Sequence, residues 1–139
     1  MARIFESGKL VMGLRWVIVN MKDYVFADAV AGALRGDKES DFKVERVSTP
    51  EDILQYSKIA SIILMEVNGY PPYVLAERLK IRDEVKKANP DCKIVLVVDE
   101  NSEAEVAVQV RQAKKAGQID QFIYGSISAN YLVALLDAL

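Results

Sequence analysis

The residue types that could do chemistry in this chain of 139 residues are few, and the strongest limit is the lack of any histidine. Without histidine there is no Ser-His or Cys-His nucleophilic pair, no phosphohistidine, and no use of the commonest protein metal ligand. The single cysteine, Cys92, rules out an intramolecular disulfide and suits a reducing cytoplasm. It opens an apolar run and reads as a small core residue, not a nucleophile. What remains is carboxylate chemistry. Asp23, Glu66 and Asp99 each stand just beyond an apolar run, and three acids brought together could hold a divalent cation, which prefers oxygen ligands. Solvated acids at strand ends are the more ordinary reading.

Composition narrows the partners. With 51% apolar and 27% charged residues, the chain has the balance of one soluble globular domain. A net charge of -2 argues against direct nucleic-acid binding, which needs clustered Lys and Arg. The densest basic group (Arg78, Lys80, Arg82, Lys86, Lys87) is interleaved with Glu77, Asp83 and Glu84, the pattern of a solvated helix face. No apolar run reaches the length of a membrane span. Residues 1–14 mix charged and apolar types without a signal-peptide stretch and read as an N-terminal arm before a domain over 15–139. The expected location is the cytoplasm.

The elements that must position the acids follow from apolar periodicity. Trp16-Val17-Ile18-Val19 reads as a first strand, and a helix from about Asp23 carries Phe26, Val30, Ala33 and Leu34 to a stop at Gly36. Phe42 to Val47 is a strand whose partial alternation suits a sheet edge. Thr49-Pro50-Glu51-Asp52 opens a second helix with a hydroxyl cap. The continuous runs Ile62–Met65 and Ile94–Val98 suit central strands buried on both faces. Between them a helix is expected from about Pro72 to Ala88, with Val74, Ile81 and Val85 aligned and Asn89-Pro90 ending it. Ser102-Glu103-Ala104-Glu105 is a capping-box pattern for a fourth helix that Gly117 closes. Phe122-Ile123-Tyr124 is a short fifth strand, and a last helix carries Leu132, Leu135, Leu136 and Leu139.

Five such β-α units predict a three-layer, doubly wound (βα)5 α/β domain with a parallel five-stranded sheet of order 2-1-3-4-5, the flavodoxin and CheY-like architecture. In that order the chain reverses direction between strands one and three, and ligands bind at the carboxyl ends of the strands there. The candidate site therefore comprises Asn20 to Asp23, Glu66 to Asn68, Val98-Asp99 and Gly125-Ser126. The first turn, Asn20-Met21-Lys22-Asp23, has no glycine to bring backbone N–H groups against a phosphate, which excludes dinucleotide and P-loop sites.

Element order, the acid closing strand three (Ile62 to Glu66) and the stretch Ala116-Gly117-Gln118-Ile119-Asp120-Gln121-Phe122-Ile123 resemble the receiver domain of bacterial response regulators, with one residue inserted near Gln118. The resemblance covers about Arg15 to Leu139. It implies that the Mg²⁺-binding acidic pair falls on Asn20 and Met21, with Asp23 near them. The phosphoacceptor aspartate falls on Glu66, the switch hydroxyl on Val98, the switch aromatic on Phe122, the lysine on Gly125 and the following proline on Ser126. A thioether is a poor ligand for a hard cation, and a pocket without the usual lysine and switch hydroxyl has little to stabilise a transferring phosphoryl group. Lys22, beside the metal position, would oppose Mg²⁺ as easily as replace it. The pocket thus reads as degenerate. Glu66 would act as a built-in mimic of the phosphorylated state only if something read it, so a strand-end acid bonded to helix-terminal N–H groups is the preferred account. Phe122 reads first as a core or interface aromatic, with Tyr124 on the opposite face.

The resulting expectation is an atypical receiver in two-component phosphorelay signalling, not an enzyme and without a cofactor, that works by binding a signalling protein or a fused output domain. The resemblance implies that the face formed by helix four, strand five and helix five is the binding surface, through which a homodimer is a possible partner. The sequence adds an apolar stripe there (Tyr131, Leu132, Leu135, Leu136) wider than sheet packing requires. The loop Val67-Asn68-Gly69-Tyr70-Pro71-Pro72 is expected to be rigid, with Tyr70 and Tyr73 exposed. Two alternatives stay open: a phosphorylatable receiver using Glu66 or a neighbouring acid with Mg²⁺, and a flavodoxin-like domain holding a neutral small molecule beside Met21 and Gly125.

Overall fold

The computed structural model describes residues 3–6, 9–12, 15–37 and 41–139. Strands β1 (Arg3–Glu6) and β2 (Lys9–Met12) pair antiparallel, with Ile4 opposite Val11. The other positions of the expected 1–14 arm lie outside the described residues. From there the chain alternates: β3 (Arg15–Asn20), α1 (Tyr24–Gly36), β4 (Phe42–Arg46), a 3₁₀ segment (Pro50–Tyr56), β5 (Ala60–Val67), α2 (Leu75–Ala88), β6 (Lys93–Val98), α3 (Ala104–Lys115), β7 (Gln121–Tyr124) and α4 (Ala129–Asp137). The last five strands form one parallel sheet ordered β4-β3-β5-β6-β7, which is the expected 2-1-3-4-5 order.

Alternation along the central strands builds two cores, because successive side chains leave opposite faces of a sheet. Val17, Val19, Leu64, Val95 and Ile123 pack with Val30 and Leu34 of α1 and Leu132 and Leu136 of α4. Ile18, Ile63, Met65, Ile94 and Leu96 pack on the other side with Ile53, Val85 of α2 and Val110 of α3. Edge strand β4 buries only Val44. Asp23 caps α1 by accepting the Phe26 N–H at 3.1 Å. Gly117, at φ 76°, lets Gln118 N–H reach back to the Ala113 carbonyl at 2.9 Å and closes α3.

Four expectations are corrected. The second helix is a 3₁₀ segment: Asp52 N–H bonds Thr49 and Ser57 N–H bonds Leu54, three residues back, and the Thr49 hydroxyl caps nothing. The longer 3₁₀ rise per residue spans the link to β5 while seating just Pro50 and Ile53 in the core. Helix α2 begins at Leu75, not near Pro72, because Tyr70 to Tyr73 close a turn of their own, Tyr73 N–H on the Tyr70 carbonyl at 2.8 Å. The capping box does not form, since α3 starts at Ala104 after Glu103 without a side-chain cap; Ser102 bonds Asp99 instead. The basic group on α2 is not wholly solvated: Arg78 has no exposed surface, and Lys86 folds over to bond Asp120 at 3.1 Å.

Candidate functional site

At the carboxyl edge of β3, β5, β6 and β7 lies an open cleft of about 400 Å³. Met21, Lys22, Asp23, Phe26, Glu66, Asn68, Tyr70, Val97, Asp99, Glu103, Gly125 and Ser126 line it. Of the residues singled out in the sequence, the fold brings Met21, Asp23, Glu66, Asp99 and Gly125 to this one cleft. Asn20, Val98 and Phe122 do not line it.

Each placement has a local cause. Asn20 ends β3 on the same face as Ile18, is fully buried, and donates its Nδ2–H to the Val47 carbonyl at 2.9 Å. Its side chain thus serves β4 and not the cleft. Val98 is fully buried on the face packed by α2 and α3, and Val97 contributes to the cleft from that strand. Phe122 is half-buried on the same side as Val98. Tyr124 corrects the expected opposite face: two residues further on, it shares Phe122's side, their ring centroids 5.6 Å apart and edge-to-face. Its hydroxyl accepts from Arg111 of α3 at 2.9 Å.

The Glu66 carboxylate is engaged at both oxygens. Oε1 accepts the Asp23 backbone N–H at 3.0 Å, and Oε2 accepts the Asn68 Nδ2–H at 3.3 Å. Asn68 Oδ1 in turn accepts the Tyr70 N–H at 2.8 Å, and Asn68 N–H bonds the Tyr73 carbonyl at 3.1 Å. Glu66 is therefore tied both to the start of α1 and to the loop after β5. That loop holds Tyr70 out, 66% exposed, with the Lys22 ammonium 5.9 Å from its ring centre. Tyr73, expected to be exposed, is half-buried instead against the Arg78 guanidinium, 4.9 Å from its ring centre.

Asp99 is spent in a similar way. Its Oδ1 accepts the N–H groups of Asn101 at 3.0 Å and Ser102 at 3.3 Å. With a further bond from the Ser102 side chain, the largest of these influences, they hold its carboxyl below the ordinary aspartate value. Among the described residues no group of three His, Cys, Asp or Glu side chains is arranged to hold a metal ion. Magnesium requires a near-octahedral set of oxygens. A buried thioether at Met21 and a helix-capping Asp23 do not supply that set, and Glu66 and Asp99 already accept hydrogen bonds from N–H groups of the domain itself.

Gly125 lies beside β6, its N–H on the Val98 carbonyl at 2.8 Å, and a Cβ there would meet nothing nearer than 3.7 Å.

Sequence reasoning missed Arg78. Its Nε–H donates to the Glu66 carbonyl at 2.8 Å and its Nη2–H to the Asn20 carbonyl at 3.3 Å, beneath the two strand ends that frame the cleft. The signal was present in the spacing, since position 78 falls on the helical stripe of Val74, Ile81 and Val85.

No protein-family model matches the chain, and no curated protein matches it. Solved structures do. The beryllofluoride-activated receiver domain of DrrB is 19% identical with a TM-score of 0.66, over 91% of this chain and 97% of that one. A CheY-like response regulator receiver domain protein from Methanospirillum hungatei is 16% identical with a TM-score of 0.68, over 91% of this chain and 93% of its own. An orphan response regulator of H. pylori is 16% identical with a TM-score of 0.64, over 89% and 94%. The chain has the CheY-like receiver fold.

Proposed function

We propose that this receiver-fold chain is an atypical receiver domain of two-component phosphorelay signalling, which acts by binding a protein and has lost conventional aspartate phosphorylation. The observation that carries the reading is the state of Glu66, whose two carboxylate oxygens are committed to Asp23 and Asn68 inside the domain. In this reading Glu66 stands at the phosphoacceptor position as a structural acid. Asn20, Met21 and Asp23 are the remnant of a metal pocket, Val98 and Phe122 the remnant of the switch, and Gly125 the position of a missing lysine. Residues 15–139 are the acting unit, with the 1–14 arm outside it, and no catalysis or cofactor is invoked.

The partner is a signalling protein, a fused output domain or a second copy, and the face that best suits it is formed by α3, β7 and α4. Support comes from α4, where Leu132 and Leu136 are buried while Tyr131, 56% exposed, and half-buried Leu135 line a shallow groove with Phe122, Tyr124 and Ile127. Among the described residues no helix is long and apolar enough to cross a membrane.

An amide-resonance titration with Mg²⁺, then with Mg²⁺ and beryllofluoride, tests the central claim. Unchanged spectra at millimolar Mg²⁺ are expected. Shifts gathered at Asp23, Glu66, Asp99 and Phe122 would restore a phosphorylation switch and end this reading.

A further inference from the structure

Among the described residues Arg78 is the one charged side chain with no solvent exposure, and no carboxylate pairs with it. Its Nη1 is buried without a hydrogen-bond partner. A buried guanidinium is costly to keep, and here it is compensated by carbonyl dipoles and one aromatic face. Those partners are specific. The two carbonyls belong to Asn20 and Glu66, at the carboxyl ends of the adjacent strands β3 and β5, and the ring is Tyr73, which closes the loop after β5. Burial pulls the guanidinium down to about 10, with Tyr73 and Glu66 acting to raise it, so it stays cationic at neutral pH.

We infer that Arg78 is a positioning residue for the carboxyl-edge cleft: it holds the ends of β3 and β5 together and seats the 68–74 loop through Tyr73, so that the cleft is fixed without an occupant. This rests on the reading of the cleft as one that no longer switches, and gives that reading a physical cause. The same guanidinium underlies both hydrogen-bonded arms of Glu66, the one to Asp23 and the one to Asn68 and Tyr70. A cation in contact with both strand ends resists their separate movement.

The test is residue-resolved amide exchange on the full chain. In Arg78→Met the amides of Asp23, Asn68, Tyr70 and Tyr73 should exchange at least about tenfold faster, while those of β4 and α4 stay within about threefold. Arg78→Lys, which keeps the charge and a donor, should fall between. Tyr73→Leu should speed Asn68, Tyr70 and Tyr73 and spare Asp23. Uniform acceleration across the domain in Arg78→Met would reduce Arg78 to a core residue and overturn the inference, as would four unchanged amides. If Arg78→Met does not fold, unchanged loop amides in both Arg78→Lys and Tyr73→Leu overturn it equally. The proposed function fails separately, by a beryllofluoride response in the wild-type chain.

Discussion

The carboxylate of Glu66 accepts the backbone N–H of Asp23 at 3.0 Å, so the acid ending one central strand caps the turn that leaves the strand beside it. Asp23 itself caps α1 through Phe26. Two acids that the sequence offers as a metal pocket are thereby arranged in series as hydrogen-bond acceptors for a helix start.

Removing the first of them should cost stability. Glu66→Ala is expected to lose about 1 kcal/mol in urea unfolding, the usual worth of a cap-type hydrogen bond that is partly solvated. Glu66→Gln keeps an acceptor oxygen and should lose less than half of that. An alanine variant as stable as wild type would mean the bond to Asp23 carries no weight in solution.

Gly125 offers a test by addition. Because a Cβ there meets only ordinary contacts at 3.7 Å, Gly125→Lys should fold with stability within about 0.5 kcal/mol of wild type. It should not by itself produce a beryllofluoride response, since Met21 still supplies no hard oxygen. A response in the amide spectrum of this single variant would show that a cation alone was missing.

Asp99 is expected to make the domain's stability sensitive to acid. Its folded-state carboxyl lies below the ordinary value of 3.8, so its contribution is present above pH 4 and is lost as the pH falls through the lower folded value. Wild type should therefore exceed Asp99→Ala in melting temperature at pH 6, with the gap narrowing by pH 3. A gap independent of pH would assign the effect to something other than the ionised carboxylate.

Cys92 gives the opposite slope. Burial, aided by Asp120 and opposed by Lys86, raises its thiol from 9.0 to about 12. Well below pH 9 the thiol is protonated in both states; as the pH rises through 9 the unfolded chain ionises first, and stability falls toward pH 12. Cys92→Ala should cost about 1 kcal/mol at pH 7 for the small cavity. In denaturant melts at pH 10.5 it should lose less of its stability than wild type does. Native Cys92 should also resist a thiol reagent until the chain unfolds.

Much of the fold was legible because strands β5 and β6 declare themselves. Ile62–Met65 and Ile94–Val98 are apolar without alternation, which only strands covered on both faces can be, and the partial alternation of Phe42–Val47 marked an edge. Those features fit the sheet order that the structure shows, and hence which loops share an edge. The cleft was legible as a place. Met21, Asp23, Glu66, Asp99 and Gly125 do meet at one cleft.

What each side chain does there was decided by the tertiary structure. Asn20 turns to Val47, Glu66 spends its oxygens on Asp23 and Asn68, and Ser102 bonds Asp99 where its spacing suggested a capping box. Arg78 is the sharpest case. Residue type alone placed it in water, whereas packing placed it under two strand ends whose carbonyls offer the acceptors that a buried guanidinium needs. Hydropathy patterns report how much surface an element must hide and on which side. They do not report which donors and acceptors meet, because those partners come from strands and loops far apart in the chain and are joined only when the sheet assembles.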